Sequence, residues 1–230
     1  VQLIWQGFLE AFGLLFSFNK DIVEIVSMTL KVTGTAALIA MVIGLPVGAF
    51  MGLTRFKGRQ FFVTLTNTGM ALPPVVVGLF VYLLISRYGP LGTLDILYTP
   101  SAMILAEVII ATPMVIGVTL AAVQALDQRL ISQIYSLGAS NVQLFFKIVR
   151  EARLGLLASV AAGFGAIISE VGAVMMVGGN IKDSTRVLTT AIVMETRQGH
   201  TSMAIALSII LLTLAFVVNG FITYAQQRKR

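Results

Sequence analysis

Five apolar runs, each long enough to cross a bilayer, leave this chain few folds to choose from. They occupy residues 25–53, 61–86, 101–125, 154–178 and 202–224. A helix needs about 20 predominantly apolar residues to traverse the hydrocarbon. Inside hydrocarbon each backbone N–H and C=O must find its partner within the protein, so runs of this kind read as helices. Their interruptions are few. Lys31 lies in the first run, Pro73 and Pro74 in the second, Glu107 and Pro113 in the third, and Glu170 in the fourth. The chain is 57% hydrophobic and 11% charged, whereas a soluble domain is about 25% charged. The 230 residues therefore read as one all-α integral membrane domain with about five spanning helices.

Residues 3–18 are apolar but short for a span, and they carry Trp5 and Glu10. They read as an N-terminal helix lying at the interface, where Trp is favoured, or as a short additional first span. No basic stretch or small-residue cleavage site accompanies them, so a signal peptide is not expected. The absence of Cys excludes disulfides and thiolate metal sites, and one His, His200, excludes a His cluster. No carboxylate pair stands at a spacing that supports catalysis, so neither catalytic nor metal-binding residues are assigned.

Loop charges orient the spans. One side carries Arg55, Lys57, Arg59, Arg129, Lys147, Arg150, Arg153, Arg228, Lys229 and Arg230 against Asp127 and Glu151. The other carries Lys20, Arg87, Lys182, Arg186 and Arg197 against Glu10, Asp21, Glu24, Asp95, Asp183 and Glu195. Basic loops stay in the cytoplasm. This places the C-terminus and the polar segment 127–153 inside and the N-terminus outside. Topology thus explains the net charge of +6 without nucleic acid.

The polar segment DQRLISQIYSLGASNVQLFFKIVREAR (127–153) has its own shape. Asp127 can cap a helix. Leu130, Ile134 and Leu137 form an apolar stripe. Gly138 suits the left-handed position that ends a helix. Ser140 followed by Gln143 matches a capping box for a second helix, whose apolar surface is Phe145, Phe146, Ile148 and Val149. The pattern is helix, glycine turn, helix. It is either an ordinary amphipathic surface element or a contact for a cytosolic partner.

SLGASNVQLFFKIV, within residues 127–150, resembles the cytoplasmic coupling loop of bacterial ABC-importer permeases. That loop runs E-A-A, three residues, Gly, then an apolar residue and Leu-Pro. Gly138 matches the glycine; Leu137, Ala139 and Ser140 match its flanks, and Ile148 the later apolar position. Ser132, Gln133 and Ile134 replace E-A-A, and Arg150 and Glu151 replace Leu-Pro, which marks a divergent branch. ALPPVVVGLFVYLLISRYGPLG (71–92) resembles molybdate- and tungstate-type oxyanion permeases. ISEVGAVMMVGGNIKDSTRVLTTAIVMETRQG (168–199) is most similar to the tungstate type.

The resemblance implies a type I ABC-importer transmembrane-domain fold in a prokaryotic inner (plasma) membrane. It also implies a second copy of the chain, a cytosolic ABC ATPase dimer that binds ATP and Mg, and an extracytoplasmic oxyanion-binding protein. Membrane lipid surrounds the whole. No G-x-x-x-x-G-K-[ST] phosphate loop occurs, so no cofactor is expected in this chain. Contact with the ATPase is expected at Leu137, Gly138, Ala139, Ser140 and Asn141. The implied cargo is a tetrahedral oxyanion, tungstate first, with molybdate, sulfate, phosphate or methionine as alternatives. A proton-coupled secondary transporter using Lys31, Glu107 and Glu170 is the rival class.

Several residues within the runs are pathway or gate candidates. Pro74, Gly78 and Thr112 either line the pathway or mark lipid-tolerated kinks. Ser169, Thr112 and Asn180 can offer neutral hydrogen bonds to a passing anion. Glu170, followed by Gly172, is expected inside a span in a structural or gating role, because a carboxylate at mid-bilayer costs about 2.5–3.5 kcal/mol. Lys31 can pair with Glu107 or Glu170, or snorkel outward. Met175, Met176 and Val177 form a candidate apolar constriction, with ordinary packing as the alternative. Gly163 and Gly165 are expected at helix contacts. Lys182, Arg186 and Arg197 at the outer mouth are either anion attractors or solvated loop charges.

Overall fold

A computed structural model describes Trp5, Gly13 and residues 20–227, without the side chains of Gln128 and Asn141. The expected interfacial helix at 3–18 therefore lies outside the described residues, apart from Trp5 and Gly13. All regular elements among the described residues are helical. They are α1 (Lys20–Leu53), α2 (Arg59–Ala71), α3 (Pro74–Ile85), α4 (Pro100–Gln124), α5 (Gln128–Ser136), α6 (Asn141–Glu151), α7 (Arg153–Ile168), α8 (Gly172–Gly178), α9 (Leu188–Arg197) and α10 (Thr201–Gln227). Helices α1, α4 and α10 are each long and apolar enough to cross a membrane; counting each bent pair as one span raises the number to 5.

Two of the expected straight spans are broken. The run at 61–86 is split into α2 and α3, which meet at 101°. Leu72 (φ −63°, ψ 130°) and Pro73 (φ −62°, ψ 125°) are extended. Each precedes a proline, and the ring of the next residue disfavours the helical conformation there. Pro74 then opens α3, where its missing N–H costs nothing. The run at 154–178 is split at 169–171 into α7 and α8. Glu170 thus sits at a helix break rather than within a continuous span. A further turn of 71° separates residues 142–151 from α7. Residues 188–197, read as outer loop from the sequence, form α9.

Helices α1 and α4 build the centre. In lipid there is little hydrophobic force between helices, so close backbone approach carries the contact. Gly44, Gly48 and Gly52 supply it at four-residue spacing. A Cβ at these positions would stand 2.7 Å from Val115 Cγ1, 2.7 Å from Thr119 Cβ and 2.7 Å from Val123 Cγ1 respectively. Of the two glycines expected at packing contacts, Gly163 abuts α4, since a Cβ there would stand 2.6 Å from Val115 Cγ2, whereas Gly165 has open space beside it. Thr119 donates to Ser159 Oγ at 3.0 Å, joining α4 to α7 in the buried interior. Around this centre, α3 and α8 pack on Val32, Met103 and Ala106 at one end. At the other end, α6 packs on Ala49 and Val123.

Candidate coupling surface and broken-helix junction

The polar segment adopts the expected shape, down to its hydrogen bonds. Asp127 Oδ1 accepts from the Arg129 N–H at 2.8 Å and starts α5. Helix α5 ends in a left-handed turn at Gly138 (φ +80°). Gly138 N–H donates to Tyr135 O (2.9 Å) and Ala139 N–H to Ile134 O (3.4 Å), the paired closure that satisfies terminal carbonyls. Ser140 then opens α6. Its Oγ accepts from Gln143 N–H (3.3 Å), while its own N–H donates to Gln143 Oε1 (2.9 Å).

This corner has an anchored side and an open side. Leu144 and Ile148 are buried with Ala49, Val123, Ala152 and Leu156, and Leu130 and Ile134 pack against them. Leu137, expected on the same stripe, is instead 87% exposed, because α5 stops there. Val142 and Phe146 are also exposed, so of the apolar surface expected on this helix Ile148 is buried while Phe146 faces out. Ser140 is exposed and Ala139 half-buried. The backbone of Asn141 begins α6 directly after the turn. Leu137, Val142 and Phe146 thus each leave apolar surface exposed on a polar element, the kind of surface that meets a partner.

The second locus is the junction of α3, α7 and α8. Gly78 is buried against Ala173, whose Cα a Cβ at Gly78 would strike. Gly172 abuts Val75, the neighbour of Pro74. Glu170 is buried, and its Oε1 accepts from the Ala173 N–H at 2.9 Å, capping α8. Thr189 donates to Glu170 O at 2.9 Å, and Leu188 N–H donates to Thr29 Oγ1 at 2.9 Å. These bonds tie α9 to the break and to α1. Thr185, buried, donates to Gly178 O and accepts from Ile181 N–H. Sequence reasoning passed over Thr185 and Thr189; the signal available was the density of threonine at 184–190, where STRVLTT is too polar for a span and too apolar for a solvated loop.

The remaining candidates separate. Val177 is wholly buried in the core, while Met175 and Met176 are half-buried beside it, so the three do not form a common lining. The Thr112 hydroxyl donates to Val108 O (2.6 Å) and that of Ser169 to Gly165 O (3.2 Å), each to a carbonyl four residues back in the chain. Asn180 Oδ1 is buried without a partner. Glu107, also buried, accepts from Thr33 at a long 3.4 Å through Oε1, and its Oε2 has no partner. Lys31 pairs with neither Glu107 nor Glu170: its side chain is exposed, and the ion pairs among the described residues lie elsewhere. Lys182 and Arg186 line a cavity of about 510 Å³ with Asp21, Glu24, Asp183 and Glu195. Lys182 is already paired with Asp21 at 3.2 Å, so the acids there outweigh any pull on an anion.

Broken spans around a glycine-packed centre, with a capped helical corner at one end, are the architecture of a type I ABC-importer transmembrane domain. The MetNI methionine ABC transporter, solved in inward-facing conformations, superposes with a TM-score of 0.70 at 22% identity, over 92% of this chain and 95% of that one. The chain belongs to the family of binding-protein-dependent transport system inner membrane components, which matches residues 44–230. It is 38% identical to the tungstate uptake system permease protein of Peptoclostridium acidaminophilum, over 99% of this chain and 100% of that protein. It is 43% identical to a probable anion ABC transporter permease of Haloferax volcanii, over 86% and 88% of the two chains. It is thus a multi-pass inner-membrane permease component of an ABC importer.

Proposed function

We propose that this permease carries a tetrahedral oxyanion, tungstate, into the cell by alternating access. Similarity over the full length to a tungstate uptake permease is the observation that carries the choice of cargo. In this reading two copies of the chain enclose the path. An extracytoplasmic binding protein delivers the anion, and two cytosolic ATPase subunits bind the ATP and Mg. The N-terminus lies outside and the C-terminus in the cytoplasm, as loop charge requires.

The turn at Leu137, Gly138, Ala139, Ser140 and Asn141 seats in the ATPase. Closure of the ATPase dimer pushes this corner, and Leu144 and Ile148 transmit the push to α1, α4 and α7 through the core they share. The junction of α3 and α8 is suited to move as a unit, since breaks bound both helices.

The test is to copurify the tagged chain with its binding protein and titrate that protein by calorimetry with tungstate, molybdate and sulfate. Tightest binding of tungstate is expected. Preference for molybdate, sulfate or phosphate would reassign the cargo, and a partner that binds methionine and none of these anions would remove the oxyanion-permease reading.

A further inference from the structure

The concave surface where α6, α7 and α10 meet is not used by the function proposed above. It is a groove of about 630 Å³. Its floor is aliphatic, built from Leu45 of α1 and Leu156, Leu157 and Val160 of α7, and Phe221 of α10 forms a wall. Both charged side chains in its lining are arginines, Arg150 and Arg153, and both are exposed. They flank the 71° turn between residues 142–151 and α7, which brings them to one corner. Tyr224, with an amphipathic ring suited to the membrane boundary, stands at the same end. Gln226 Nε2 donates to Leu154 O at 3.2 Å and holds the last turn of α10 over the start of α7. The sequence then continues into Arg228, Lys229 and Arg230, so more positive charge follows α10.

We infer that this groove is a binding site for one anionic phospholipid, with its phosphate on Arg150 and Arg153 and an acyl chain along Leu156, Val160 and Phe221. Basic pockets between spanning helices at the cytoplasmic boundary suit such head groups, and guanidinium grips phosphate through several N–H donors. The floor belongs to a span, so a soluble partner does not reach it. A two-fold contact centred on Arg150 and Arg153 would set the arginines of two copies near one another with no acid in the lining to offset them. The inference rests on the cytoplasmic placement of residues 127–153 proposed above. A lipid seated there would brace the joint between the coupling corner and α7.

Native mass spectrometry of the full chain tests this, with phosphatidylglycerol and phosphatidylcholine of identical acyl chains. Phosphatidylglycerol should be retained about 30-fold more strongly, the factor for two basic side chains near an anionic lipid. Arg150→Gln with Arg153→Gln should abolish the preference. Arg55→Gln with Lys57→Gln, an equal charge loss at exposed residues outside the groove, should keep it. Equal retention of the two lipids by the unaltered chain, or equal loss in both double variants, would overturn the site. A photo-crosslinker at Phe221 should yield lipid adducts; a covalent dimer there instead would assign the groove to a second copy. Lipid preference without ATPase recovery defeats the functional proposal alone, and ATPase recovery without lipid preference defeats this inference alone.

Discussion

Single side chains carry much of the organisation in this protein, because lipid offers no substitute partner for a polar group. Glu170 is the clearest instance. A carboxylate inside an apolar run is costly, and here it sits at a break and accepts from the Ala173 N–H. Glu170→Ala should lower stability by about 0.5–2 kcal/mol, the range for losing a cap, while Glu170→Gln keeps an acceptor and loses less. Thermal unfolding in detergent reads the difference. Gly48 gives a second contrast. A Cβ there would lie 2.6 Å from Ile116 O, whereas one at Gly165 meets nothing. Gly48→Ala is expected to destabilise by about 1–3 kcal/mol through overpacking. Gly165→Ala should be neutral or slightly stabilising, since Ala favours helix over Gly.

Elements differ in how far their residues announce them. The helix-turn-helix corner at 127–151 was legible because Asp127, Gly138, Ser140 and Gln143 each have a local role that depends only on neighbours in sequence. Pro73 and Pro74 were equally visible as a kink, yet the size of the turn was not. Two consecutive pre-proline restrictions produce 101°, while the single Pro113 leaves α4 continuous. The break at Glu170 and the helix α9 depend on contacts from distant residues, Thr29 and Thr189 among them, and no local pattern encodes those. Lys31 is the converse case: its sequence position allowed either an internal acid partner or an outward course, and the fold turns it outward. Because Gly138 has φ +80°, a proline there is sterically excluded. Gly138→Pro should collapse the turn, and it should abolish ATPase stimulation and transport in reconstituted vesicles while the spans remain helical by circular dichroism.

For the molecule as a whole, apolar run length gave the class and loop charge gave an orientation, both of which need only composition along the chain. The lining of the path is less accessible. In the proposed dimer it depends on a second copy, and of the polar candidates Thr112 and Ser169 spend their hydroxyls on nearby carbonyls while Glu170 caps α8. Orientation has a simple check, since the chain contains no Cys. Tyr88→Cys, between α3 and α4, should react with a membrane-impermeant maleimide on intact cells. Ser136→Cys, at the end of α5, should react only after lysis. The reverse pattern would invert the topology.

The central proposition is that the exposed turn at 137–141 couples this permease to a separate ATPase. It is tested most directly by recovering the tagged chain from the membrane and measuring ATP hydrolysis in the eluate, for the unaltered protein and for Leu137→Asp. Leu137 is 87% exposed, so the substitution should leave the thermal transition unchanged. The unaltered chain is predicted to bring down a hydrolysing partner, and Leu137→Asp to lose it. Full recovery of hydrolysis with Leu137→Asp, or none with either chain, would contradict the proposition.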